Sequence, residues 1–193
     1  VQTLSSTALL SPTFTFIIDA GHGGEDGGAT SCTGELESKL NLDISLRVRD
    51  LFHFLGYQTK MIRTSDISVY TEGNTVAQKK VSDLKQRVHI CNETENAVLL
   101  SIHQNYFADG RYSGAQIFYA STEGSKDLAE HMQQAMIHTL NPESRRNAKQ
   151  ASGIYLLEHI HCRGVLIECG FLSNKEEEAG KYISYKGVLP LFK

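Results

Sequence analysis

Short apolar runs of strand character recur along the chain, separated by stretches whose apolar residues fall at helical spacing. The first run holds Phe14, Phe16, Ile17 and Ile18 and predicts a strand at 14–19. Leu40, Ile44, Val48, Leu51, Phe52 and Leu55, with Gly56 as a stop, then predict a helix over 40–55. A second strand is expected from Gln58 to Arg63. Val81, Leu84, Val88 and Ile90 place a helix at 77–92 that leads into a strand at 97–102. Gly114 to Ala120 reads as a strand, and Leu128, Met132, Met136 and Leu140 line one face of a helix at 125–140. The last strand is expected at 163–168. Loops fall in the glycine-rich segment 21–34 and in the polar segments 64–76 and 141–152. Strands alternating with helices argue for βαβ units and a mainly parallel sheet.

Composition narrows the class. The chain has 193 residues, 40% hydrophobic and 21% charged, which suits one domain with a substantial core. Residues 1–13, with Ser5, Ser6, Ser11 and Pro12, read as a leader or linker, and 14–193 as the domain. A net charge of −3, without a basic stripe interleaved with aromatics, excludes nucleic acid as an expected partner. Apolar stretches fall short of the roughly 18–20 residues that span a bilayer. The chain begins at Val1, which fits a removed leader or anchor, so membrane contact is expected only through such a segment. Cys32, Cys91, Cys162 and Cys169 show no C-x-x-C spacing, which argues against a zinc knuckle or a thioredoxin-type pair and leaves any disulfide unassigned.

Three of the strands end on side chains that carry chemistry. The first stops at Asp19 and runs through Ala20-Gly21 into His22, which is followed by Gly23-Gly24. The 97–102 strand runs into His103, and the last strand into Glu168. In open α/β sheets ligands sit outside the carboxyl ends of the strands, so the three point to one shared site. Catalytic zinc takes three ligands from histidines and carboxylates and keeps one position open. His22 and His103 are two candidates, and Glu35 or Glu37, just ahead of a helix, offers the third. Glu168 can then serve as the general base. A hydrogen-bonded structural role for these strand-end residues stays open on spacing alone.

Four blocks resemble, in order, the motifs of the zinc-dependent N-acetylmuramoyl-L-alanine amidases of the Amidase_3 type. They are Asp19-Ala20-Gly21-His22-Gly23-Gly24, Glu37-Ser38-Lys39-Leu40-Asn41-Leu42, Ser101-Ile102-His103-Gln104-Asn105 and Val165 through Asn174. The resemblance runs from about 14 to 178 and implies one zinc on His22, Glu37 and His103, with Glu168 as the catalytic carboxylate. It favours Glu37 over Glu35, because the family's metal glutamate opens an E-x-x-x-N-L block and Asn41-Leu42 follow Glu37. Gly114 through Tyr119 look most like the sporulation branch, whose members act on spore-cortex peptidoglycan.

Other residues divide between site and scaffold. Arg63 and Arg87 fall where the family carries polar residues near the cleft, so substrate contact and loop pinning are both open. Asn105 and Asn174 are candidates to orient substrate or to shape turns. His159 and His161 read as solvated surface, Cys169 as a buried strand residue, and Met132 and Met136 as core. The family continues into a full helix after Asn174, whereas Gly180, Gly187 and Pro190 interrupt this chain there. Val188, Leu189, Leu191 and Phe192 in that tail form an apolar cluster that either folds back on the sheet or docks a protein activator.

The sequence thus predicts a single α/β domain, with a mainly parallel twisted sheet of about six strands flanked by helices on both faces. Its expected activity is hydrolysis of the amide between N-acetylmuramic acid and L-alanine in peptidoglycan, outside the cytoplasm, in the cell envelope or the space between mother cell and forespore. A zinc peptidase on unrelated peptides and a catalytically idle wall-binding module are the competing readings.

Overall fold

A computed structural model describes residues 14–178. The leader expected at 1–13 and the tail at 180–193, with its apolar cluster, lie outside the described residues. Six strands form one sheet: β1 (Thr15–Ala20), β2 (Gln58–Met61), β3 (Ala97–Asn105), β4 (Gln116–Tyr119), β5 (Lys149–Gln150) and β6 (Arg163–Phe171). Their order is β2-β1-β3-β6-β4-β5. The first four in that order run parallel, β4 is antiparallel to β6, and β5 is parallel to β4. The helices are α1 (Glu37–Phe54), α2 (Val76–Asn92), α3 (Ser125–Leu140) and the short α4 (Tyr155–His159).

Alternation along the strands divides the core into two layers. Ile18, Leu100, Ile102, Val165, Ile167 and Ile117 pack beneath α1 and α3, against Ile44, Val48, Phe52, Met132 and Met136. Ile17, Leu99 and Leu166 face the other way and pack with Cys91, Leu156, Leu157 and Ile160 near α2 and α4. Both faces of the sheet are therefore covered. This is why the central strands read as continuous apolar runs instead of alternating with polar residues.

Boundaries depart from the sequence reading where polar residues do the packing. α1 starts at Glu37, three residues ahead of its first apolar position, because Glu37, Ser38 and Asn41 are buried against the site. α2 turns a polar face inward: Ser82, Arg87 and Cys91 are buried, while Val81, expected in the core, is 52% exposed. Ser82 Oγ accepts the backbone N–H groups of Thr71 and Glu72, and Asp83 accepts that of Val69, so the 69–72 loop is tied to this helix. Its start is fixed by a capping box between Thr75 and Gln78. β3 continues past the expected end and carries His103 inside the strand. β5 and α4 were not expected; β5 is two exposed residues and carries no pattern to detect.

Gln133 of α3 links that helix to the sheet. It is fully buried; its Oε1 accepts the Ile117 N–H at 2.8 Å and its Nε2 donates to the Ala115 carbonyl at 3.1 Å. Gln133→Leu keeps the volume and removes both bonds. Each buried polar group left unpaired costs about 1–3 kcal/mol. Denaturant unfolding should show a loss of at least about 2 kcal/mol, and unchanged stability would contradict the bridge.

Candidate metal centre

At the carboxyl ends of β1 and β3 the chain brings His22, Glu37 and His103 together. One ligand-type atom from each lies within 4.8 Å of the others. Glu37 Oε1 sits 3.3 Å from His22 Nε2 and 3.1 Å from His103 Nδ1, and the two imidazole centroids are 5.0 Å apart. Two glycines make the space. A Cβ on Gly21 would lie 2.2 Å from His103 Nε2, so the ring rests on a bare backbone. A Cβ on Gly28, where φ is +67°, would lie 2.6 Å from Glu37 Oε2 and 2.7 Å from His22 Cδ2.

A second layer of polar groups aims these three. Asp26 Oδ2 holds His22 Nδ1 at 3.0 Å, which leaves Nε2 turned toward Glu37, the arrangement in which a carboxylate orients a metal-binding imidazole. Glu37 Oε2 accepts the Ala29 N–H, while Oε1 accepts the Gln104 N–H and the Asn41 side-chain amide. Lys80 ion-pairs with Asp26 at 3.1 Å.

His22 itself stands in the left-handed region, at φ 61°. For a residue with a Cβ this conformation costs of order 1–2 kcal/mol. Two buried arginines hold it. Arg87 ion-pairs with Asp19 and Asp83 and donates to the carbonyls of Ala20 (3.0 Å) and His22 (2.8 Å). Arg63 donates to Ala20 (2.8 Å), Gly21 (3.0 Å), Ser38 (2.7 Å) and Ser65 (3.0 Å), all backbone carbonyls. Both are 2% exposed. Their guanidinium groups are thus committed beneath the loop, and the substrate-contact assignment is withdrawn for Arg63 and Arg87 in favour of loop pinning.

The other predicted positions separate in the same way. Asn174 takes the turn-shaping role of its two alternatives: its Oδ1 accepts the Glu176 and Glu177 N–H groups and its Nδ2 donates to the Tyr112 carbonyl, so it caps the turn at 175–178. Asn105 is half-buried at the end of β3, two residues beyond His103. Glu35 is exposed, outside the cluster that contains Glu37. Cys169 is buried, as expected, and all four cysteines are free thiols. Asp19, Asp26 and Glu177 carried no role in the sequence reading. Glu177 is buried and accepts the N–H groups of Gly114 and Phe171; the Asn174-x-x-Glu177 capping-box spacing was its available signal.

The buried Glu37 and the half-buried Glu168 are shifted in opposite directions. Burial works to raise Glu37, but hydrogen bonds and charge from His103 and His22 hold it well below the ordinary range. Glu168 lies directly beside His103 in the β3–β6 register. Burial pushes its carboxyl up to about 7, against the attraction of His103. Its Oε2 is shielded from solvent and has no hydrogen-bond partner among the described residues. Histidine–carboxylate–histidine with a neighbouring acid–base carboxylate fits a catalytic zinc. It is a poor match for magnesium or calcium, which take oxygen ligands.

Comparison with known proteins agrees with this chemistry. The family model described as N-acetylmuramoyl-L-alanine amidase matches residues 16–182. The germination-specific N-acetylmuramoyl-L-alanine amidase of Bacillus subtilis (strain 168) is 37% identical over 188 residues, covering 91% of this chain and 78% of that protein. Among solved structures, the CwlD amidase from Clostridioides difficile in complex with the GerS lipoprotein superposes with a TM-score of 0.86 at 34% identity, covering 93% of this chain and 94% of that one. The N-acetylmuramoyl-L-alanine amidase from Clostridium difficile 630 gives 0.77 at 30% identity, covering 94% and 91%.

Arg87 provides a test of the framework beneath the centre. Burial works against the Asp19 charge, but Arg87, then Ser101 and His103, hold its carboxyl below the ordinary range. A depressed carboxyl contributes stability that is complete above pH about 4 and is lost as the pH falls through its folded value. Arg87→Met leaves that charge buried and unpaired, a loss of about 3–5 kcal/mol. Urea unfolding should show the deficit at neutral pH and a narrowing gap from wild type on acidification. A small, pH-independent difference would contradict the pairing.

Proposed function

Because this chain belongs to the N-acetylmuramoyl-L-alanine amidase family, we propose that His22, Glu37 and His103 hold one zinc ion per chain and that Glu168 moves the proton. The chain is an N-acetylmuramoyl-L-alanine amidase, a hydrolase acting on peptidoglycan. The bond cleaved joins the lactyl group of N-acetylmuramic acid to L-alanine of the stem peptide. The observation that carries the assignment of roles is the convergence of three ligand-type atoms beside Glu168, one of whose oxygens is shielded and has no hydrogen-bond partner among the described residues.

When bound, zinc supplies a Lewis acid for the scissile carbonyl and lowers the pKa of water toward about 7. Glu168, with a carboxyl near 7, accepts a proton from the attacking water and returns it to the departing L-alanine amine. Glu37 stays ionised, as a metal ligand must. Asp26 keeps His22 in the tautomer that presents Nε2. Asn105, whose side chain has no hydrogen bond among the described residues, is the remaining candidate for substrate contact at the end of β3.

The relatives support a setting for the reaction. A germination-specific enzyme at 37% identity favours spore-cortex peptidoglycan and muramic-lactam formation, in the space between mother cell and forespore. No helix of the described residues is long and apolar enough to cross a membrane. The CwlD structure holds a lipoprotein, which favours a protein activator for this chain too.

Glu168→Gln should retain fold and zinc content while turnover on a muramyl peptide falls roughly 10²–10⁴-fold, the range of general acid–base catalysis. His22→Ala, Glu37→Ala and His103→Ala should each lose zinc by elemental analysis. Near-normal turnover of Glu168→Gln would move the proton role elsewhere, and full zinc occupancy in all three ligand variants would overturn the metal site.

A further inference from the structure

Beyond His103, β3 delivers the chain into a group of half-exposed aromatic rings. Tyr106 is 53% exposed, Phe107 52% and Tyr112 48%. Tyr106 follows directly on β3, three residues beyond His103, and Phe171 ends β6, three residues beyond Glu168, so the rings stand beside the ends of the two strands that carry the site. Phe107 and Tyr112 pack edge to face with centroids 4.8 Å apart, and Tyr112 backs onto Phe171 at 6.2 Å. Rings buried for stability would not be left half in water, and rings that merely frayed would not be pinned. These are pinned: the Phe107 N–H donates to Ser173 Oγ, the Tyr112 N–H to the Asp109 carbonyl, and Asn174 Nδ2 to the Tyr112 carbonyl.

The two sides of the centre differ in surface character. Around His22 the surface is dense in paired charges, Lys79 with Glu25, Lys80 with Asp26 and Asp83 with Arg87. Around the loop after β3 the exposed surface is aromatic, with Arg111 and Asp109 joined by two parallel hydrogen bonds of 2.9 and 2.7 Å. The substrate likewise has a charged part and an apolar one. Its stem peptide carries carboxylates, while its sugar rings, with the muramic lactyl group in amide linkage, are neutral and present apolar C–H faces. Aromatic rings offer such faces a large, rigid contact area at low entropic cost.

We propose that Phe107 and Tyr112, with Tyr106 beside them, form a shelf that binds the glycan strand flanking the muramic residue to be cleaved. This rests on the amidase reading and adds to it a preference for polymer over isolated muramyl peptide. The shelf acts as a specificity element apart from the reacting atoms.

The test uses the zinc-loaded chain and its Phe107→Leu/Tyr112→Leu variant, which keeps apolar area but removes the flat ring faces. Two substrates are compared: intact peptidoglycan strands and a single disaccharide–peptide. Binding to peptide-free glycan strands is measured separately. The variant should lose at least tenfold in kcat/KM on intact strands through KM, lose binding to bare strands, and keep its kcat on the disaccharide–peptide. Equal effects on both substrates, or none on either, overturn the shelf. Unchanged strand binding with loss only of stimulation by an added protein partner also overturns it, in favour of protein docking. If the wild type releases no stem peptides with free L-alanine amino ends from intact strands either, the amidase reading fails, while bare-strand binding still judges the shelf by itself. Tyr106→Leu provides the same comparison should the double variant fail to fold.

Discussion

The turn from Ala20 to Gly23 is the constraint on which the site depends. It must carry a histidine through a left-handed backbone conformation, directly above two buried guanidinium groups. Two like charges so close are unfavourable alone: burial and then Arg87 lower the Arg63 pKa. Asp19 on β1 and Asp83 on α2 offset this by pairing with Arg87, while the carbonyls of Ala20, Gly21 and His22 take the remaining donors. The strain at His22 is therefore held by bonds that originate in α2 and in the segment following β2. Both α2 and β2 must be in place before the metal ligands converge, so the centre is a product of the whole β1–β3 half of the fold.

Within that frame, one residue type serves two purposes. Glu37 accepts hydrogen bonds from every side and remains charged at any physiological pH. Glu168, on β6 beside His103, has a shielded oxygen without a hydrogen-bond partner among the described residues and a carboxyl near 7. Environments that push two carboxyls apart assign them different roles: here the low one suits a ligand and the high one an acid–base. His103 lies between them and interacts with both.

The apolar strands, the three long helices and the placement of His22, His103 and Glu168 toward the carboxyl ends of neighbouring strands were legible because apolar periodicity is a local feature, although β3 and β6 run two and three residues past His103 and Glu168. The convergence of Glu37 with the histidines was not, since spacing alone left Glu35 equally eligible until the E-x-x-x-N-L resemblance separated them. The arginines were left open between substrate contact and loop pinning for a physical reason. Arg63 and Arg87 sit in polar surroundings that read as cleft, but their donors are used up by backbone carbonyls of distant segments, which only tertiary structure reveals. Val81 failed for the complementary reason: α2 buries Ser82 and Arg87 to tie down loops, so its apolar stripe does not mark the inward face.

The most direct test of the account is a mass spectrum of peptidoglycan digested by the zinc-loaded chain. Stem peptides released with a free L-alanine amino end, from glycan strands that keep their lactyl groups, and only when the metal is present, are the predicted products. Cleavage within the stem peptide would make the protein a zinc peptidase, and an unchanged digest would make it an idle wall-binding module; either result would contradict the account.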